Sequence, residues 1–291
     1  MIATMSGLAR PEFLASPEWL AERLGRADTR VVDVRWRPDG SAAEVHQTRR
    51  IPGSVHVDWR AELVEPDETG EALRLAGAEQ IAAVARRVGI GDGTTVVIYD
   101  DTQSLYAART WWTFRAFGLE SVRILDGGMA AWEADGRAVS RGSMEAGPST
   151  SFTVPAAFTP RGPNRMRLTT ADVRGLLGAP DVTLLDARAP AEYRGFEGNT
   201  RRLGHIPGAV NVPVGGMHEA GSQALRDGAQ LRDRLHAANV SRGRRMVTYD
   251  GSGVAAAKLA FVLALLGHED VAVYDGGWAE WGNRLDLPVD R

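Results

Sequence analysis

The stretch Met246-Val-Thr-Tyr-Asp250-Gly-Ser-Gly-Val254 joins a short apolar run to a glycine-rich turn, and the alanine- and leucine-rich segment 254–266 follows. That order predicts a buried strand over Met246–Tyr249, a tight turn, and a helix over Val254–Leu266. Such a turn aims backbone N–H groups at an anion, because the first N–H groups of a helix have no partner within it. A cysteine placed there has its thiol pKa lowered and becomes a reactive thiolate. Here Asp250 holds the head of the turn, and the chain contains no cysteine.

Working outward, the same device occurs twice. Val96-Val-Ile-Tyr-Asp100 matches Met246-Val-Thr-Tyr-Asp250, and Val31-Val-Asp-Val-Arg35 matches Leu184-Leu-Asp-Ala-Arg188. Ile51-Pro-Gly-Ser-Val55 matches Ile206-Pro-Gly-Ala-Val210, and Leu125-Asp-Gly-Gly-Met-Ala-Ala-Trp132 matches Tyr274-Asp-Gly-Gly-Trp-Ala-Glu-Trp281. Four motifs in one order, each repeated about 150 residues on, mean a duplication; the period is too long for a solenoid. The first half reads as strand Val31–Val34, helix Gln80–Val88, strand Val96–Tyr99, helix Ala107–Phe117 and strand Val122–Leu125. Strands alternating with helices imply βαβ units, so the expected class is α/β, two tandem domains each built on a mostly parallel sheet flanked by helices. The expected boundaries are 1–140 and 166–291. Between them, 141–165 is rich in Gly, Ser, Pro and Thr and reads as a linker draped over a surface. In such sheets ligands sit beyond the carboxyl ends of the strands, where Asp100 and Asp250 fall.

Composition excludes several classes. A net charge of −3, with Arg scattered among Asp and Glu, leaves no basic stripe for nucleic acid. No apolar stretch reaches the ~18 residues of a membrane span, and the amino end has no charged segment leading into an apolar run, so no secretory signal is expected. The cytoplasm is the default location. Without cysteine there are no disulfides and no thiolate metal sites, and the six histidines show no metal-ligand spacing. No metal and no cofactor are expected.

These motifs together resemble the two-domain rhodanese-type sulfurtransferases over nearly the whole chain. The resemblance rests on Asp-x-Arg after the first strand, His205-Ile-Pro-Gly-Ala, the strand–loop–helix at 246–266, and Asp-Gly-Gly-x-x-x-Trp near the end of each half. It implies that the second domain descends from one whose cysteine accepts a sulfane sulfur from thiosulfate or 3-mercaptopyruvate and passes it to a thiophilic acceptor. It also implies that the first domain is the inactive copy. The loop Gly251-Ser252-Gly253-Val254 is similar to the mercaptopyruvate-type loop, in which the serine is implicated in catalysis, and the cysteine position maps to Asp250. Arg188 and Arg201 are the anion contacts this implies; Arg188 equally reads as a structural partner of Asp186. Active members commonly carry an arginine where this chain has Glu192, and His-Ile-Pro-Gly of the mercaptopyruvate type becomes Arg50-Ile-Pro-Gly53.

Persulfide chemistry needs a polarizable sulfur, so a carboxylate at 250 is expected to end sulfur transfer. An ionised Asp250 would fill the anion site from within and repel a second anion by about 4 kcal/mol at 4 Å and an effective dielectric near 20. The expected function is a rhodanese-like pseudoenzyme acting by binding or regulation, with a small anion or sulfur-containing ligand in the interdomain cleft, or a protein partner. Asp250 alternatively reads as a helix cap, as a nucleophile toward phosphoryl or acyl groups, or as a replacement in an otherwise ordinary cysteine enzyme that keeps some sulfur transfer. Trp111-Trp112, Phe114 and Phe117 read as the core face of a helix, His205 as a turn residue, and Lys258 as part of a solvated helix face.

Overall fold

Residues 29–33 and 95–99, β-branched runs too short for a helix, lie side by side as parallel strands with nearly every side chain buried. A computed structural model describes residues 6–65, 72–142, 157–240 and 244–291. Its first half runs through β1 (Leu14–Ala15), α1 (Pro17–Ala21), β2 (Thr29–Asp33), α2 (Ala42–Thr48) and β3 (Val55–His56). It continues with α3 (Trp59–Glu62), α4 (Ala78–Arg87), β4 (Thr95–Tyr99), α5 (Leu105–Ala116), β5 (Val122–Leu125) and α6 (Gly128–Ala134). The second half repeats the plan in β6 (Arg167–Leu168), α7 (Thr170–Gly175), β7 (Val182–Asp186), α8 (Pro190–Tyr193) and β8 (Val210–Asn211). It closes with α9 (Gly228–Ala237), β9 (Arg245–Tyr249), α10 (Val254–Leu265), β10 (Val271–Tyr274) and α11 (Gly277–Trp281).

The sheet orders are β1-β5-β4-β2-β3 and β6-β10-β9-β7-β8, with every pairing parallel. The expected strands and helices are present, with ends moved by one or two residues. The two-residue strands β1, β3, β6 and β8 escape a reading of periodicity, because two residues carry no period. Of the expected linker 141–165, residues 143–156 lie outside the described residues. Residues 157–165 return along the end of α5, where Arg161 N–H donates to Phe117 O at 2.8 Å and Asn164 N–H to Ala116 O at 2.8 Å.

One hydrophobic core runs across both halves, and α5 and α10 lie at its centre. Trp111 meets Phe261 edge-on at 5.0 Å, while Trp112 donates its indole N–H to Met166 O at 3.0 Å. α10 is apolar on all sides except for Lys258, as a helix buried on all sides tends to be, while α5 adds Arg109 and Arg115 to a mostly buried apolar surface. Each sheet keeps a smaller core on its outer face, around Tyr99, Leu125 and Trp132 in one half and Tyr249, Trp278 and Trp281 in the other. This places the loops after β4 and β9, at the carboxyl ends of central strands, against the opposite domain. No helix among the described residues is long and apolar enough to cross a membrane.

Candidate functional site

Strand β9 ends at Tyr249, whose hydroxyl accepts the Ile206 N–H at 3.1 Å and so ties the strand to the Ile-Pro-Gly bend. The bend is fixed on its other side by His205, which hydrogen-bonds Tyr193 O at 2.9 Å and stacks on the Tyr193 ring at 3.8 Å. Beyond Tyr249 the chain turns through Asp250-Gly-Ser-Gly into α10. Asp250 Oδ1 accepts the Gly253 N–H at 2.5 Å and Oδ2 accepts the Ala255 N–H at 3.2 Å. The carboxyl is 6% exposed. Burial pushes it above the usual carboxylate range, and the N–H groups of Ala255, Gly253, Ala256 and Ser252 pull it partly back. Asp250 thus caps α10 from four residues upstream. Burial thus acts against the charged form, and the carboxyl also takes up N–H donors that a bound anion would otherwise use.

Asp100 does the same in the first domain. Its Oδ1 accepts from Thr102 and Ser104 N–H at 3.1 and 3.0 Å, and its Oδ2 from Tyr106 and Ala107 N–H at 2.9 and 3.0 Å. Burial raises this carboxyl too. The two loops therefore share one arrangement, a carboxylate that accepts N–H groups of its own loop.

Behind the Asp250 loop stands the second Asp-Gly-Gly turn. Gly277 has φ +57, and a Cβ there would come within 2.6 Å of Asp250 O, so glycine is required on both counts. Asp275 from this turn is 1% exposed and binds the other domain. It accepts from Arg109 Nη2 at 2.9 Å, from Leu75 N–H at 2.7 Å and from Arg167 Nε at 2.9 Å. Arg109 also donates to Gly253 O at 3.1 Å, so a side chain of α5 holds the Asp250 loop in place. Reading the sequence missed Arg109; its signal is an arginine two residues into the mostly apolar run Ala107–Phe117, where Arg115 lies nearer the end.

Two cavities open onto Gly251. One, of about 400 Å³, lies between the domains and is lined by Arg60, Leu73, Arg188, Glu192, Ser252 and Trp278, among others. The other, of about 670 Å³, enters beside Arg188, Glu192, Pro213, Arg234, Asp250 and Ala255. The structure thus brings Asp250, Gly251, Ser252 and Arg188 together. Arg201 is set apart: it is exposed, donates its backbone N–H to Asn283 Oδ1 at 3.0 Å, and lines neither cavity. Gly253 and Val254 serve as loop and helix start and line neither cavity. Arg188 is largely occupied, with Nε 3.0 Å from Asp186 Oδ1, Nη2 2.6 Å from Asp186 Oδ2 and 2.8 Å from Gly204 O. Its guanidinium lies 4.6 Å over Trp278. Arg188 thus has the structural partnership with Asp186 and also lines both cavities. Glu192 accepts the Ala189 N–H at 3.2 Å while facing both cavities.

The model of the rhodanese-like domain matches residues 16–135 and again 169–284. The chain belongs to the rhodanese family. It is 34% identical to the 3-mercaptopyruvate sulfurtransferase of Escherichia coli K12, over 94% of this chain and 96% of that one. It is also 34% identical to the thiosulfate sulfurtransferase of Corynebacterium glutamicum, over 97% and 91%. Among solved structures, SseA from Escherichia coli, a 3-mercaptopyruvate sulfotransferase of rhodanese fold, superposes with a TM-score of 0.78 at 28% identity, covering 91% of this chain and 98% of its own. In this rhodanese Asp250 stands where the family's catalytic cysteine belongs, and no cysteine occurs elsewhere to replace it.

Two further clusters emerge only in three dimensions. Asp33, His46 and His56 bring ligand atoms within 4.8 Å of one another. Asp33, however, is gripped by Arg35, Tyr99 and His46, with Arg35 Nε at 3.0 Å, Tyr99 OH at 2.9 Å and His46 Nδ1 at 2.8 Å. A guanidinium already fills the place a cation would take, so these residues do not fit a metal ion. Lys258, expected on a solvated face, is 4% exposed in the interdomain core. Burial lowers its amine to about 8, with Asp100 drawing it back. The reason is the burial of α10 on every side, which leaves no face for solvent.

Proposed function

We propose that this rhodanese-family protein does not carry sulfane sulfur and acts by binding a ligand in the cleft beside Gly251 and Ser252. One observation carries the reading: the Asp250 carboxyl turns into the N–H groups of its own loop, as Asp100 does. In the enzymes this chain resembles, a sulfur at that position must accept and release a second sulfur. A carboxylate oxygen cannot form and break an S–S bond, and its lone pairs here are taken up by the loop. The same engagement disfavours attack by Asp250 on phosphoryl or acyl groups, since attack would first break the cap and strand buried N–H groups. Glu192 at the cleft mouth, where the active pattern carries an arginine, supports a changed ligand preference. The test is sulfur transfer from thiosulfate and from 3-mercaptopyruvate, measured on this protein beside Asp250→Cys. The unmodified protein should be silent and the Cys variant should turn over. Turnover by the unmodified protein would overturn the proposal. Silence in both would mean that the cleft, with Glu192 and Arg50 first, has changed beyond position 250.

A further inference from the structure

We propose that a pocket at the amino ends of β4 and β5, walled by Arg10, Arg115 and Arg123, binds the phosphate group of a small ligand. Its volume is about 350 Å³, and its floor includes Phe13, Thr95 and Ser121. Thr95 and Val122 are the first residues of their strands, so the pocket lies at the opposite end of the sheet from the Asp100 loop.

Three observations point to an oxyanion. First, like charges are forced together. The guanidinium of Arg10 lies 4.6 Å from the Phe13 ring centre and that of Arg115 lies 4.7 Å from the same centre. Arg115 is also 5.4 Å from the Trp111 ring, and Arg123 is 4.4 Å from that of Trp19. Packing on rings holds these cations in place without neutralising them. Burial lowers the pKa of Arg115 and repulsion from Arg10 lowers it further, while Glu120 and Glu12 act in the opposite direction.

Second, acceptors are missing. Arg10 pairs with Glu12, but among the described residues neither Arg115 nor Arg123 has an acidic partner within 4 Å. Arg115 satisfies one donor on Glu120 O at 2.9 Å, Arg123 satisfies one on Leu14 O at 3.2 Å, and the buried Nε of Arg115 has no partner. A guanidinium carries five donors in a planar fork, and a tetrahedral oxyanion accepts from several forks at once. Third, the Thr95 and Ser121 hydroxyls form no hydrogen bond with the described protein and stand beside the arginines as further donors. Glu12 and Glu120 line the pocket as well and favour an oxyanion with a proton to donate to them, which inorganic phosphate keeps at neutral pH, a phosphate ester keeps below its second pKa of about 6, and sulfate lacks. Phe13 and Val122 give an attached organic group an apolar wall.

Calorimetric titration of the whole protein at low ionic strength tests this, using inorganic phosphate, phenyl phosphate and sulfate as probes. Saturable one-site binding of either phosphate is expected, weakened by about tenfold or more in Arg115→Met and unchanged within about twofold in Arg60→Met, which alters the interdomain cleft instead. Tighter binding of phenyl phosphate identifies a phosphate ester as the ligand class, and binding of inorganic phosphate alone identifies the free ion. Absence of saturable heat with both, equal binding of sulfate, or loss of binding in Arg60→Met but not in Arg115→Met would overturn the proposal. If circular dichroism shows Arg115→Met unfolded, the half-exposed Arg123→Met and the exposed Arg10→Met carry the same test.

Discussion

A buried charge destabilises a fold most where no close partner answers it, and Lys258 has only the attraction of Asp100 to set against its burial. Its amine makes no hydrogen bond or ion pair among the described residues, and beside it His218 has both ring nitrogens buried without partners. The lysine drops from 10.5 to about 8. A lowered amine pKa means that the folded state holds the proton less tightly than the unfolded chain. Stability therefore rises as pH climbs from about 8 to 10.5, and the penalty is present in full below 8. At about 1.4 kcal/mol per pKa unit the burden at pH 7 is about 3 kcal/mol. Lys258→Met keeps the length of the side chain and removes the charge. It should gain about 1–3 kcal/mol in urea unfolding at pH 7 and abolish the rise above pH 8; a loss at pH 7 would mean that the attraction of Asp100 outweighs the burial. His218 acts at the other end of the scale: burial, then Lys258, lowers it to about 3, so its contribution is lost as pH falls from 6.5 toward 3.

At the scale of elements, the two Asp-Gly-Gly turns show how one motif diverges in its surroundings. Asp275 meets Arg109 and Arg167, while its counterpart Asp126 accepts N–H groups from Leu225, at 3.0 Å, and Gly127, with no cation within 4 Å among the described residues. Burial accordingly pushes Asp126 up to about 6. A raised carboxyl binds its proton more tightly when folded, so this group contributes stability below pH 3.8 that is lost as pH rises through 6. Asp126→Asn should gain about 1–3 kcal/mol at pH 7 and nothing at pH 3.5, read from thermal or urea unfolding. Asp275→Asn should lose stability instead, because it strands two arginines. The sequence makes both turns legible, along with the strands before them and the Asp100 and Asp250 loops, since these depend on neighbours within a few residues. It does not tell the turns apart, because Arg109 and Leu75 reach Asp275 from the other domain. Lys258 and Arg109 were hidden for the same reason: whether a charge inside an apolar helix is solvated or buried depends on what packs against that helix. Arg201 lines neither cavity at Gly251, because a resemblance transfers a residue type and not its place relative to a cavity.

For the whole molecule, what matters is that α5 and α10 form a shared centre and not a seam. Rhodanese-like halves joined only by a linker would unfold separately, since domain interfaces within a chain are often small and polar. Here Trp111, Phe114 and Phe261 are all fully buried where the halves meet, and the Arg109–Asp275 pair crosses the same surface with both partners 1% exposed. Neither half can therefore open without stripping the other's core and its site loop. The tryptophans allow a direct reading, because six of the eight precede residue 140, so fluorescence reports mainly on the first half and circular dichroism on both. The two urea transitions should superimpose. Phe261→Ala, in the second half, should lower stability by about 3–5 kcal/mol and shift both probes equally, including the tryptophans it does not touch. Arg109→Met should do the same by about 3–5 kcal/mol, by leaving part of Asp275 unanswered. Separated transitions in either variant, with the fluorescence midpoint unmoved by Phe261→Ala, would show two independent folding units and would remove the structural link by which the first domain holds the Asp250 loop.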